Sequence, residues 1–189
     1  MKKIFIVHRW GGSPKEPMLA WLATELKKKN YEVHSLEMPH PEEPTIDDWT
    51  AKLNEEVKNL DKDTYFIGHS IGCQTILRYL EKQKHVCGGA VLIAGWFTLQ
   101  GLETKEEEKI AEPWLETPID FDKILRNLPK LIAIFSDNDQ FVPLDNKDIF
   151  KEKLNAEIHV EHNKGHFTES DGVTSSALIV KSLLKMSEI

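Results

Sequence analysis

Short apolar runs alternate along this chain with longer amphipathic segments. That alternation restricts the fold more than any other feature, because strands joined by crossover helices assemble into a parallel sheet. The runs fall at Lys3 to His8, Glu32 to Leu36, Thr64 to Ile67, Gly89 to Ala94, Lys130 to Ser136 and Glu157 to Val160. Several are nearly continuous Val, Ile, Leu and Phe, the composition of strands covered on both faces. Helical patterns occupy Met18 to Lys29, Thr45 to Leu60, Ile71 to Gln83, Asp145 to Leu154 and Val173 to Lys185. The clearest is the second, where Ile46, Trp49, Leu53, Val57 and Leu60 recur at steps of three and four, and Thr45 with Asp48 is placed like a capping box. The expectation is an α/β fold with three α/β/α layers around a six-stranded, mostly parallel sheet.

One segment breaks the rhythm. Residues 96–120 hold Trp96, Phe97, Trp114, two prolines and the run "KEEEK", too polar for a core helix and too long for an ordinary connection. It reads as a partly helical, cap-like insertion over one end of the sheet, inside a single domain spanning residues 1–189. Glu106 to Glu108 read as a solvated face.

Composition narrows the function classes. A net charge of -7, with Lys and Glu intermixed, argues against a nucleic-acid partner, which calls for a basic patch. No apolar run approaches the roughly 20 residues of a membrane-spanning helix. The start, "MKKIFIVHRW", reads as a first strand rather than a secretory leader, since its apolar run is only Ile4 to Val7. With only Cys73 and Cys87 available for pairing, a disulfide-stapled scaffold is excluded and a reducing, cytoplasmic setting is expected.

Chemistry concentrates at Gly68-His69-Ser70-Ile71-Gly72, a G-x-S-x-G sequence lying after a strand and before a helix. A serine at such a turn needs glycines on either side, because side chains there would meet the neighbouring strand and helix. Its Oγ is thereby lifted clear of the sheet, and the Ile71 amide at the helix start can donate to a developing oxyanion. The competing reading is a serine N-cap between strand and helix. A nucleophilic serine also needs a base, itself oriented by a carboxylate. Among the eight histidines, His166 in "HNKGHFTES" follows the last strand by a short loop, whereas His162 is nearer to that strand and His159 lies within it. A metal pair of His162 and His166 is disfavoured by the turn-like "NKG" between them. Beyond the fifth strand, "SDNDQFVP" supplies Asp137 and Asp139, either a carboxylate partner or a solvated turn. The chain order of a serine, then an aspartate, then a histidine is that of α/β-hydrolases. Near the first strand, Trp10, Gly11 and Gly12 permit a tight turn and a second amide close to Ser70. Trp10, Trp96, Phe97, Trp114 and Phe167 are candidates to line an apolar acyl pocket, against the alternative that they are core packing. Cys73 reads as packing rather than a second nucleophile.

The motifs "GHSIGC", "MPHPEEPTIDDW", "SDNDQFVP" and "KGHF" together resemble the small serine hydrolases of the retinoblastoma-binding-protein-9 family, especially bacterial YdeN-type members, over nearly the whole chain. The resemblance implies a compact α/β-hydrolase with strand order 2-1-3-4-5-6. It also implies Asp139 as the acid, because the family's aspartate precedes an x-x-[VL]-P ending. Family hydrolases place the second oxyanion amide just after an H-G pair. The matching residues here are His8 and Arg9, so Trp10 inherits that position and Arg9 departs from the pattern. The L-x-C-x-E segment through which the human relative is associated with the retinoblastoma protein does not occur, so no protein partner is carried over. The expectation is an esterase acting on small acyl substrates through Ser70, His166 and Asp139, with Ile71 and Trp10 amides for the oxyanion, and with neither metal nor cofactor. An acyltransferase or thioesterase would use the same residues. The alternative of another class is a catalytically silent interaction module on the same fold.

Overall fold

The computed structural model describes residues 1–187. Six strands, β1 (Lys3–Val7), β2 (Glu32–Leu36), β3 (Thr64–His69), β4 (Gly89–Ile93), β5 (Leu131–Ser136) and β6 (Glu157–Glu161), lie in the order β2-β1-β3-β4-β5-β6. Every neighbouring pair is parallel, with Val7 beside Gly68 and His69 beside Ile93 in register. The helices are α1 (Pro17–Lys28), α2 (Ile46–Glu56), α3 (Ile71–Glu81), α4 (Lys105–Glu116), α5 (Phe121–Asn127), α6 (Asn146–Leu154) and α7 (Ala177–Ser187). Helix α1 packs on α7 to form one layer, while α2, α3, α5 and α6 pack in succession to form the other. Right-handed crossovers between parallel strands produce this arrangement and bring all the strand C-termini to one edge.

The inner strands β1, β3, β4 and β5 are buried almost throughout. The edge strands are not: β2 is half-covered and β6 exposes Glu157 and Val160. Burial on both faces therefore holds only for the centre, since an edge strand has no outer neighbour and sits at the margin of both helix layers.

Three helices differ from the sequence reading. Helix α2 ends at Glu56, four residues before Leu60, because the chain must turn into β3. Asp61 builds that turn, its carboxylate accepting from the Asp63 amide and the Thr64 hydroxyl. At the start of α2, Thr45 Oγ1 accepts from the Asp48 amide, but Asp48 takes the Thr45 hydroxyl instead of completing a reciprocal box. Helix α7 begins at Ala177 rather than Val173, after a 3-10 turn at Glu169–Asp171 and the left-handed Gly172 at φ 77°. Helix α5, which returns the chain to β5, has no counterpart in the reading, being only seven residues long.

A complete capping box lies in the acidic run. Thr104 Oγ1 accepts from the Glu107 amide at 3.1 Å, and Glu107 Oε2 accepts from the amides of Glu103 and Thr104 at 2.7 and 2.9 Å. Those amides hold the Glu107 carboxyl below the usual glutamate value. Glu106 and Glu108 are exposed as expected, whereas Glu107 starts a helix.

Candidate active site

Strand β3 delivers Ser70 into a turn with φ 55° and ψ −120°, a backbone conformation that a side-chain-bearing residue adopts at a cost of about 1–3 kcal/mol. The flanking glycines permit it. A Cβ on Gly72 would stand 2.4 Å from the Val7 carbonyl oxygen and 2.7 Å from that of His8, and one on Gly68 would stand 2.9 Å from the Cys73 nitrogen. Backbone bonds then secure the turn: the Ser70 amide donates to the Ile93 carbonyl at 2.8 Å and the Cys73 amide to the Ser70 carbonyl at 2.9 Å. The Ser70 hydroxyl makes no cap bond to α3, so the N-cap alternative does not describe it.

Asp139 follows β5. Its Oδ1 accepts from the amides of Phe141 and Val142 at 2.9 and 3.0 Å, and its Oδ2 lies 2.8 Å from His166 Nδ1. Both side chains are buried. A carboxylate at that distance fixes the imidazole as the Nδ1–H form and leaves Nε2 as a lone pair. Among the described residues the His166 ring bonds to Asp139 alone, so Nε2 is unpartnered on a cavity it shares with Ser70. Bonds between a base and its nucleophile are often long until substrate binds.

The competing residues go elsewhere. Asp137 pairs with His162 Nδ1 and the Asn163 amide, and the His162 side chain is 78% exposed. The Asn163 bond is the main reason that the Asp137 carboxyl sits below its ordinary value. His159 bonds the exposed Glu157. Among the described residues no group of His, Cys, Asp and Glu has the arrangement to hold a metal ion. Cys73 is buried with Sγ 3.3 Å from the Ile93 carbonyl, and burial pushes its thiol far up, away from the reactive thiolate.

The cavity of about 320 Å³ is bordered by Ser70 and His166, by Trp10 and Ile71, and by Trp96, Leu99, Leu102 and Phe141. The Trp10 and Ile71 amides have no hydrogen-bond partner among the described residues. Of the five aromatics proposed for the pocket, Trp10 and Trp96 line it and the others do not. Phe97 packs against the half-buried Phe121 and the fully buried Phe150. Trp114 stacks edge-on to Trp49 and donates its indole N–H to the Pro44 carbonyl at 3.0 Å. Phe167 is buried beside His166 with φ 59°.

Arg9, the departure from the H-G pair, is absorbed. Its guanidinium pairs with Glu16 at 2.7 Å and donates to the Trp10 carbonyl at 3.0 Å, bracing the loop instead of blocking it. His8 Nδ1 donates to the Arg9 carbonyl at 2.8 Å while Nε2 accepts from the Met38 amide at 3.1 Å, which fixes a neutral ring whose proton affinity burial has lowered. Sequence reasoning missed this role, along with those of His69, Asp171, Leu99, Leu102 and Phe141. All but that of Asp171, whose carboxylate reaches only to Thr168 and His166, depend on contacts between residues far apart in the chain. The one signal available was that His8 directly follows β1 and His69 closes β3, strands that pair in the sheet.

A parallel sheet in this order, with a serine on a strained strand-to-helix turn and an aspartate and a histidine after two later strands, defines an α/β-hydrolase. Within that class the chain belongs to the Serine hydrolase family, which matches residues 4–185. YdeN of Bacillus subtilis (strain 168) is 28% identical over 180 residues, 94% of this chain and 92% of that one. The crystal structure of the ydeN gene product superposes with a TM-score of 0.90, covering 98% of each chain at 26% identity. Serine hydrolase RBBP9 of Rattus norvegicus is 26% identical over 147 residues, 78% of this chain and 75% of that one. Est1E from Butyrivibrio proteoclasticus, solved with ferulic acid bound, shares the fold at a TM-score of 0.72 and 13% identity, covering 100% of this chain and 87% of that one.

Proposed function

We propose that this hydrolase is a cytoplasmic esterase that cleaves small acyl esters through an acyl-enzyme on Ser70. The observation that carries the reading is the buried 2.8 Å bond from Asp139 to His166 Nδ1, with the free Nε2 on the same cavity as an uncapped serine hydroxyl. In this reading His166 Nε2 takes the Ser70 proton as Oγ bonds to the acyl carbonyl carbon, and Asp139 stabilises the imidazolium that forms. The unpartnered Ile71 and Trp10 amides receive the oxyanion. Collapse breaks the ester C–O bond, and His166 returns its proton to the leaving alcohol. Water, deprotonated by the same nitrogen, then attacks the acyl carbon; the bond from that carbon to Ser70 Oγ breaks, His166 returns the proton to Oγ, and the acid is released. The apolar lining by Trp96, Leu99, Leu102 and Phe141 suits a short, uncharged acyl chain.

A fluorophosphonate probe tests the reading, since it phosphonylates only an activated serine. Labelling of the wild type and none of Ser70→Ala is the expected result, with a series of nitrophenyl esters then sizing the cavity. A wild type that takes no label points instead to an interaction module that keeps the fold without turnover.

A further inference from the structure

His69 is the last residue of β3, immediately before Ser70, and its side chain is buried. Nε2 lies 2.8 Å from the backbone carbonyl of His166. A carbonyl only accepts, so Nε2 carries the proton and Nδ1 is a lone pair. That Nδ1 is buried and has no partner among the described residues. Leaving an acceptor dry and unpaired is unfavourable, and an apolar ring would fill the space without the loss. What the imidazole adds is therefore the bond to His166.

The bond joins the two halves of the proposed machinery by a short route. Ser70 and His166 are 96 positions apart and reach the cavity on separate elements, yet the residue bonded to His166 is the covalent neighbour of Ser70. The other backbone group of His166 is held as well, its N–H donating to Asp171 Oδ2 at 2.9 Å, while that carboxylate also takes the Thr168 amide and hydroxyl. With Asp139 on Nδ1, His166 is held at its amide, its ring and its carbonyl, and only the carbonyl anchor comes from the nucleophile's own strand. The two imidazoles are 5.2 Å apart, centre to centre. Burial keeps His69 neutral, which avoids a second positive charge beside the imidazolium that His166 becomes.

We propose that His69 is a positioning residue, which by donating Nε2–H to the His166 carbonyl sets how closely the His166 ring approaches the Ser70 hydroxyl. The proposal rests on the esterase reading above. Turnover of nitrophenyl acetate by wild type, His69→Gln and His69→Phe tests it, because the glutamine amide nitrogen lies the same number of bonds from Cβ as Nε2 does. His69→Phe is expected to lower kcat about 10- to 100-fold with KM nearly unchanged, the scale of a displacement near 1 Å. His69→Gln should recover most of the loss. A His69→Phe enzyme with full kcat, or equal losses in both variants, would overturn the role of the donor. Nitrogen-detected NMR of the wild type gives an answer even if the phenylalanine variant does not fold: an Nε2–H tautomer at His69 is expected, and an Nδ1–H tautomer refutes the bond. A wild type that neither labels nor hydrolyses ester removes the esterase reading and this role together, whereas an active wild type with an indifferent His69 removes only the role.

Discussion

Around His166 the backbone is fastened by a hydrogen bond at each successive residue, whereas the segment from Leu99 to Pro113, which borders the same cavity, is tied mainly at its ends. The His166 loop shows the first kind of construction. Ser136 Oγ takes the Lys164 amide, Asn138 Oδ1 takes the Gly165 amide, Asp171 takes that of His166, and His69 gives to the His166 carbonyl. The other segment is gripped where it leaves the sheet and where it returns. Gln74 donates to the Trp96 carbonyl, and Asn146 bonds the amides of Phe97 and Thr98. At the return, the buried Arg78 donates to the carbonyls of Trp114 and Thr117 at 2.9 Å each, satisfying the end of α4 and opposing its dipole. Between these anchors Gln100 links to Phe141 and Asp139, and α4 buries only Ala111 and Trp114. The contrast has a physical sense. Proton transfer fails when a donor and acceptor are misplaced by a fraction of an ångström, while an apolar wall tolerates small shifts because dispersion and burial are not directional.

The largest effect expected from breaking the contrast is Asp139→Asn, which preserves shape but no longer enforces the Nδ1–H tautomer. Ester turnover should fall about 10⁴-fold with the circular dichroism spectrum unchanged. A loss under tenfold would mean that the tightly bonded side is not the reacting side. Next is Gly72→Ala. The new methyl meets the carbonyls of Val7 and His8, which are backbone and give way only with β1, so stability should drop by about 3 kcal/mol in urea titration.

Acid should loosen the hydrogen-bonded side through its buried rings. Burial holds His8 below the ordinary histidine value of 6.5 and His69 well below it, so both are neutral in the fold while the unfolded chain protonates them. Their contribution is complete above pH 6.5 and is lost as pH falls toward the folded values, by up to about 1.4 kcal/mol per pH unit for each ring. Urea midpoints that stay level between pH 7 and 5 would contradict this. Arg78→Met tests the other side. It leaves the Trp114 and Thr117 carbonyls without their donor and should cost about 2 kcal/mol, raising KM for longer acyl chains more than it lowers kcat. The smallest change is Thr104→Ala, which removes the cap of α4 for about 1 kcal/mol. Hydrogen exchange should quicken in α4 while the amides of α3 keep their protection.

Ser70, His166 and an aspartate just past β5 could be singled out from the string because each needs only local chemistry around it: two glycines about a serine, or a polar residue just past an apolar strand. Position after a strand places a residue at one edge of a parallel sheet whatever the rest of the chain does, so the fold and the meeting place of the three were legible together. The choice between Asp137 and Asp139 was not legible from spacing, since the two are one residue apart and either could face His166. Nor was the pocket lining. Phe97, Trp114 and Trp96 look alike as aromatic residues near an insertion, but two of them turn toward buried rings and one toward the cavity.

By itself the amino-acid order determined the alternation of strand and helix, the strained serine turn and the placing of an aspartate and a histidine beyond the later strands, because steric exclusion and hydrophobic periodicity act over a few neighbouring residues. Only the tertiary structure decided that Arg9 braces its loop against Glu16, that Arg78 holds the carbonyls of Trp114 and Thr117, and that His69 holds the carbonyl of His166. Such partners lie up to 97 positions apart, and a hydrogen bond between them is specified by where the folded layers bring two atoms to within 3 Å.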